Sequence, residues 1–206
     1  EGEAAIPPTA APSDIEAQQR YKDPAKHLIK LGRYLDAALL LSELAATVGP
    51  PHRQEYQLQI ASLLLQGNYL LQAEQILGEI NVAGLDNSYH VRKTLLAAQL
   101  SLANQQPEVA VSQLDSIAGV INGTSPQLQK DFYNKQIDAF YAKGDFAGSA
   151  MARHSLNKLI SDNEQIQENQ EIILRDLQEL PSSDLVSLTD QPSDAEIGRA
   201  SCRERV

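Results

Sequence analysis

The chain has 206 residues, 42% of them hydrophobic, with aromatics at only 5% and no tryptophan. A net charge of −10 excludes a general nucleic-acid binder, because phosphate repels such a surface unless basic residues are segregated on it. No run approaches the roughly 20 apolar residues of a membrane span, and the apolar content sits in Ala, Leu, Ile and Val beside abundant Gln, the composition of helix packed on helix.

Residues 1–13 (Glu1 to Ser13) are rich in Ala, Pro and Thr and show no period, so they read as a disordered tether. Neither an initiator Met nor a charged-then-apolar leader is present, and any targeting segment is expected to have been removed or never included. From residue 14 onward apolar residues recur at helical spacing between Gly, Pro and Asn breaks. The clearest stripe is Ala37, Leu40, Leu41, Leu44, Ala45 and Val48, stopped by Gly49-Pro50-Pro51. Tyr56, Ile60, Leu63 and Leu64 mark the next helix, which ends at Gly67, and Leu70, Ala73, Ile76, Leu77 and Ile80 the one after. Asp86, Asn87 and Ser88 offer N-caps for a helix carrying Val91, Leu95, Ala98 and Leu102. Pro107 suits a first helical turn ahead of Ala110, Leu114, Ile117 and Ile121. Ser125-Pro126 restarts the pattern with Tyr133, Ile137, Phe140 and Tyr141, closed by Gly144, and Ala152, Leu156, Leu159 and Ile160 follow. Ser161 and Glu164 have capping-box spacing before a last long helix with Ile166, Ile173, Leu177 and Leu180. No period-2 segment is bounded by hairpin turns, so strands are not expected.

The helices pair, and the hinges inside the pairs look alike. Gly32, Tyr34 and Ala37 form the first; Gly67, Tyr69 and Ala73 the second, with an extra residue before its Ala. The third, Asn104-Gln105-Gln106-Pro107-Glu108-Val109-Ala110, keeps Pro107 and Ala110 but lacks Gly and aromatic; the fourth carries Gly144, Phe146 and Ala150. Hinges spaced 35, 37 and 40 residues apart resemble the tetratricopeptide repeat, in which Gly turns the chain, an aromatic wedges the helices and a small Ala permits close crossing. The expected fold is all-α: tetratricopeptide-like helical hairpins stacked into a right-handed solenoid over residues 14–190, with a free concave face for a partner or for a further domain of the protein.

Residues 191–195 read as the start of a linker to a C-terminal domain. Beyond them, Ile197 to Val206 is what one frame of a common short-read sequencing adapter encodes, ATC-GGA-AGA-GCG-TCG-TGT-AGG-GAA-AGA-GTG, without a break. Residues 196–206 are therefore expected not to be natural protein, and Cys202, the single cysteine, falls among them. A cysteine-free remainder is compatible with an oxidising periplasm.

The sequence carries no recognisable catalytic motif: no GxSxG, Walker loop or GxGxxG. His27, His52, His90 and His154 are far apart in sequence, so neither metal nor cofactor is expected. Carboxylates lie on polar helix faces and form no acid/base pair. Lys22, Lys26, Lys30 and Arg33 make a basic stripe beside His27, either a solvated face or a contact for an anionic partner or lipid headgroups. Asn122-Gly123-Thr124 fits a turn better than a glycosylation site, and Tyr56, Tyr89, Tyr133 and Tyr141 fit packing better than a binding face.

The low-complexity start, the run Leu70-Leu71-Gln72-Ala73-Glu74-Gln75-Ile76-Leu77-Gly78-Glu79-Ile80, and the closing Ile172-Ile173-Leu174-Arg175-Asp176-Leu177-Gln178-Glu179-Leu180-Pro181 with Leu185-Val186-Ser187-Leu188 carry a resemblance. Over about residues 20–190 the chain is similar to the N-terminal domain of the penicillin-binding protein activator family, outer-membrane lipoproteins of Gram-negative bacteria. The resemblance implies a non-enzymatic periplasmic regulator, lipid-anchored in the outer membrane, that binds and stimulates a bifunctional penicillin-binding protein in peptidoglycan synthesis. It also implies a lipidated Cys upstream of Glu1 and a bilobed second domain downstream, and it transfers no partner-contacting residue. Two other readings stay open: a free-standing tetratricopeptide scaffold for a peptide or protein partner, and the helical accessory domain of a cell-wall enzyme such as a lytic transglycosylase.

Overall fold

A computed structural model describes residues 13–178 and 180, and every regular element among them is helical. Residues 1–12 of the tether expected over 1–13, the end of the repeat domain over 181–190, the linker over 191–195 and the stretch 196–206 lie outside the described residues.

Helix α1 (Asp14–Ala17) opens directly behind Ser13. The Ser13 hydroxyl accepts from the Glu16 N–H at 3.3 Å, and the Glu16 carboxylate accepts from the Ser13 N–H and hydroxyl at 2.9 Å each. This reciprocal cap satisfies donors that a helix start leaves unpaired. A π turn (Gln18–Lys22) joins α1 to α2 (Asp23–Lys30). Then follow α3 (Tyr34–Thr47), α4 (His52–Gln66), α5 (Leu70–Glu79), α6 (Asn87–Ala103), α7 (Pro107–Asp115), α8 (Pro126–Lys143), α9 (Phe146–Asn157) and α10 (Asn163–Gln178).

The starts follow local chemistry. Asp86 caps α6 by accepting from the Ser88 N–H at 2.8 Å, Ser125 caps α8 by accepting from the Leu128 N–H at 3.3 Å, and Pro107 is the first residue of α7. At α10 the cap differs from the Ser161–Glu164 box expected from sequence. The helix begins at Asn163, and the Asp162 carboxylate accepts from the Glu164 N–H at 3.0 Å. Asp162 supplies a stronger acceptor one residue closer to the free N–H groups, so Ser161 is not needed. Asn122 and Gly123 lie in a 3₁₀ turn (Ile121–Gly123) just ahead of α8.

Four hairpins result: α2/α3, α4/α5, α6/α7 and α8/α9, with α10 laid on α9. The first helices of successive pairs also pack on each other, α4 on α6 and α6 on α8. Their seams merge into a layered core. Leu41, Leu58, Ala61, Leu64 and Leu77 fill the part between α3, α4 and α5, and Val91, Ala98, Leu114, Ile117 and Phe132 the part between α6, α7 and α8.

The hinges share one geometry. Gly32, Asn68, Gln105 and Gly144 take the left-handed conformation, at φ +71°, +61°, +59° and +79°. The next residue in each, Arg33, Tyr69, Gln106 and Asp145, donates its N–H to the carbonyl five residues back, on Leu28, Leu64, Ser101 and Phe140, at 2.8–2.9 Å. Each left-handed residue itself donates three residues back, at 2.9–3.1 Å. These are Schellman closures, and in all four the next helix begins two residues after the left-handed position. Five residues after it comes a fully buried small side chain: Ala37, Ala73, Ala110 and Ser149, all 0% exposed.

That geometry changes the register read from sequence. The second hinge has no extra residue, because Asn68 rather than Gly67 occupies the left-handed place, and the fourth small residue is Ser149 rather than Ala150. Asn tolerates this conformation because its short polar side chain can bond locally. Gly67, at φ −82°, is required for another reason: a Cβ there would lie 2.6 Å from Tyr69 Cε2 and 3.1 Å from Tyr34 Cβ.

Candidate functional site

Counting back from each left-handed residue locates a groove. Thirteen, ten, nine and six positions upstream lie Glu55, Leu58, Gln59 and Ser62 on α4, and Arg92, Leu95, Leu96 and Gln99 on α6; α8 supplies Asp131, Asn134 and Lys135 at the first three offsets. These same faces of three successive first helices line one depression of about 520 Å³, closed at one end by Ile29 and Leu41. Glu55 and Gln59 continue it into a second depression of about 390 Å³ with Lys22, Lys26, His52 and Tyr56. A stack of equivalent hairpins aligns equivalent positions into rows, and this row lines the depression.

The floor is aliphatic. Leu58, Leu63, Leu95 and Leu128 are all at least 91% buried. The rim is polar and partly self-satisfied. Gln59 donates to Glu55 Oε1 at 3.0 Å, and Gln127 to Asp131 Oδ1 at 2.9 Å. Lys135 Nζ lies 3.7 Å from Asp138 Oδ2.

One ion pair spans the row. Arg92 on α6 donates through both terminal nitrogens to the Glu55 carboxylate on α4, at 2.5 and 2.9 Å, with its guanidinium carbon 5.9 Å from the Tyr89 ring centre. The hydrogen bonds from Arg92 hold the Glu55 carboxyl below its usual 4.5, against the partial burial that would raise it, and the Arg92 pKa is raised in turn. Both side chains keep 33% exposure, so solvent screening limits the pair to about 1 kcal/mol. A carboxyl lowered on folding stabilises above its unfolded pKa and loses that contribution as pH falls through the lower folded value. Glu55→Gln is therefore expected to cost about 1 kcal/mol at pH 7 and nothing at pH 2, measured by urea denaturation at both values. An equal cost at both values would contradict the ion-pair assignment.

The hinge residues expected from sequence all lie away from this groove. Tyr34 opens α3 and Phe146 opens α9, where its ring meets Tyr141 edge-on at 5.5 Å. Gly32, Ala37, Gly67, Tyr69, Ala73, Pro107, Ala110 and Gly144 form the inter-helix turns and crossings described above. Of the tyrosines, Tyr56 borders the basic end of the groove, while Tyr141 is 51% exposed. The four histidines are exposed and separate, and no cluster of three metal-type ligands exists among the described residues. The groove row was not singled out from sequence, although its signal is there: Glu55 and Arg92 are 37 residues apart, the distance from Asn68 to Gln105. No helix among the described residues is long and apolar enough to cross a membrane.

Residues 33–199 match the family described as LppC putative lipoprotein. No curated protein matches the chain. The crystal structure of the LpoA N-terminal domain from Haemophilus influenzae shares the fold with a TM-score of 0.51 at 21% identity, over 87% of this chain and 77% of that one. Full-length LpoA of the same organism, in monoclinic form 1, gives 0.51 at 21% identity over 87% of this chain and 30% of that one. A second monoclinic form of that LpoA gives 0.50 at 21% identity, over 77% and 28%. The chain thus spans less than a third of the full-length LpoA chains it matches.

Proposed function

Because the chain belongs to the family of LppC putative lipoproteins, we propose that it is the helical N-terminal part of a non-catalytic regulator, held at the outer membrane by a lipid anchor, that binds and activates a bifunctional penicillin-binding protein in the periplasm. The family match over residues 33–199 is the observation that carries this reading, and it bears out the resemblance to penicillin-binding protein activators found in the sequence. The tetratricopeptide-like fold, shared with the LpoA N-terminal domain, agrees with it.

The physical logic needs no catalytic group. A regulator changes a synthase by binding one of its conformations more tightly than another, and a stiff helical stack on a tether supplies reach and effective concentration across the periplasm. The test is glycan-strand polymerisation by the bifunctional penicillin-binding protein of the same cell, with and without the full-length regulator. A severalfold faster rate is expected. An unchanged rate at saturating regulator would overturn the proposal.

A further inference from the structure

Charge is not spread evenly along this chain. The stretch 18–33 holds five of the 17 basic residues (Arg20, Lys22, Lys26, Lys30 and Arg33) and one of the 27 acidic ones, Asp23, in a chain of net charge −10. The structure puts part of that stretch into the groove. Lys22 and Lys26 stand ten and six positions before Gly32, the offsets that place Leu58 and Ser62, and Leu95 and Gln99, in the same row. Lys22 Nζ lies 5.7 Å from the Tyr56 ring centre, which leaves its N–H donors to point elsewhere. Lys26 is 69% exposed and only 4.0 Å from Asp23 at its nearest. His52 borders the same end, and Glu55, the carboxylate lining it, is already bonded twice to Arg92.

We propose that the concave groove binds an extended acidic peptide segment, its carboxylates at the Lys22–Lys26–His52 end and its apolar side chains on the leucine floor of α4 and α6. Three first helices, α4, α6 and α8, packed in succession at roughly 10 Å and extended at one end by Lys22 and Lys26, make a trough at least roughly 20 Å long, the reach of about six extended residues. An alternating peptide on that trough points every second side chain at the floor and the others at the rim. The exposed Gln59 and half-buried Gln99 place amides on the rim, where a peptide backbone needs hydrogen-bond partners. An anionic bilayer offers the same charge, but a bilayer is broad and flat and does not enter a trough between helices. The proposal holds whether or not the full-length protein acts on a synthase.

The experiment is selection of a random dodecapeptide library on the purified 206-residue chain, followed by fluorescence anisotropy of the recovered peptides. Peptides combining Asp or Glu with Leu, Ile or Val are expected. Their affinity should fall about tenfold or more in Lys26→Glu, and again when salt is raised from about 0.05 to about 0.5 M. Lys26 is solvent-exposed, so circular dichroism of the variant should match the parent. Lys22→Gln gives a second, charge-neutralising variant with the same expected direction. Recovered peptides without acidic residues, or affinities unchanged in both variants, would overturn the proposal. So would sedimentation with phosphatidylglycerol vesicles when no peptide is recovered, which would assign the basic row to a membrane surface.

Discussion

Replacing Phe132 by Ala should cost about 3–5 kcal/mol, the largest loss expected from any single truncation in the stack. Phe132 is 2% exposed on α8, in the cluster that joins Val91, Leu95 and Ala98 of α6 to Ala110 and Leu114 of α7. Its ring also meets Tyr133 edge-on at 5.2 Å, a contact an alanine cannot make. The site is held by three helices, so partial collapse cannot refill the volume, and the cavity term adds to the lost transfer energy. Repeat stacks depend on neighbour interfaces, so the loss should also uncouple the second half of the stack from the first. Urea denaturation followed by circular dichroism would show one transition in the parent and two in Phe132→Ala. A cost below about 1 kcal/mol would mean that the α6–α8 seam does not carry the fold.

Ala73→Leu should have the next largest effect, a loss of about 1–3 kcal/mol from overpacking. Ala73 is fully buried five residues after the left-handed Asn68, in the cluster with Ala61, Leu64 and Leu77. At this crossing a side chain longer than methyl must push α5 away from α4 or leave its rotamer well. Leucine has nearly alanine's helix propensity, so a measured loss reports packing rather than local helix formation. Leu71→Ala on the same helix provides the comparison: Leu71 is 80% exposed, and its truncation should change stability by less than about 0.5 kcal/mol. Equal effects at the two positions would remove the close-crossing explanation for the small residue in every hinge.

Much of this fold is legible in the sequence. The α3 stripe, the stops at Gly67 and Gly144 and the proline start of α7 follow from periodicity and from residues with only one good use. Register at the second hinge was not legible, because glycine has two uses. Gly144 is there for its backbone angle and Gly67 for the space beside Tyr69 and Tyr34, and sequence shows only the glycine. Gln105 in a left-handed position carries no compositional signal at all; its neighbours impose the turn. The basic stripe on α2 was visible as a stripe, yet only packing shows that Lys22 meets Tyr56, 34 residues later. The groove is a property of the stack. Leu58, Leu95 and Asn134 become neighbours only once the left-handed residues have set a common count, and an alignment on Gly67 misplaces that count by one.

A regulator that acts by binding a cell-wall synthase, as proposed, must form a complex with it. Analytical ultracentrifugation of the full-length, lipid-free protein with the bifunctional penicillin-binding protein of the same cell tests it most directly. A saturable complex with a dissociation constant on the order of micromolar or tighter is expected. Two species sedimenting independently at every concentration up to about 100 micromolar would contradict it.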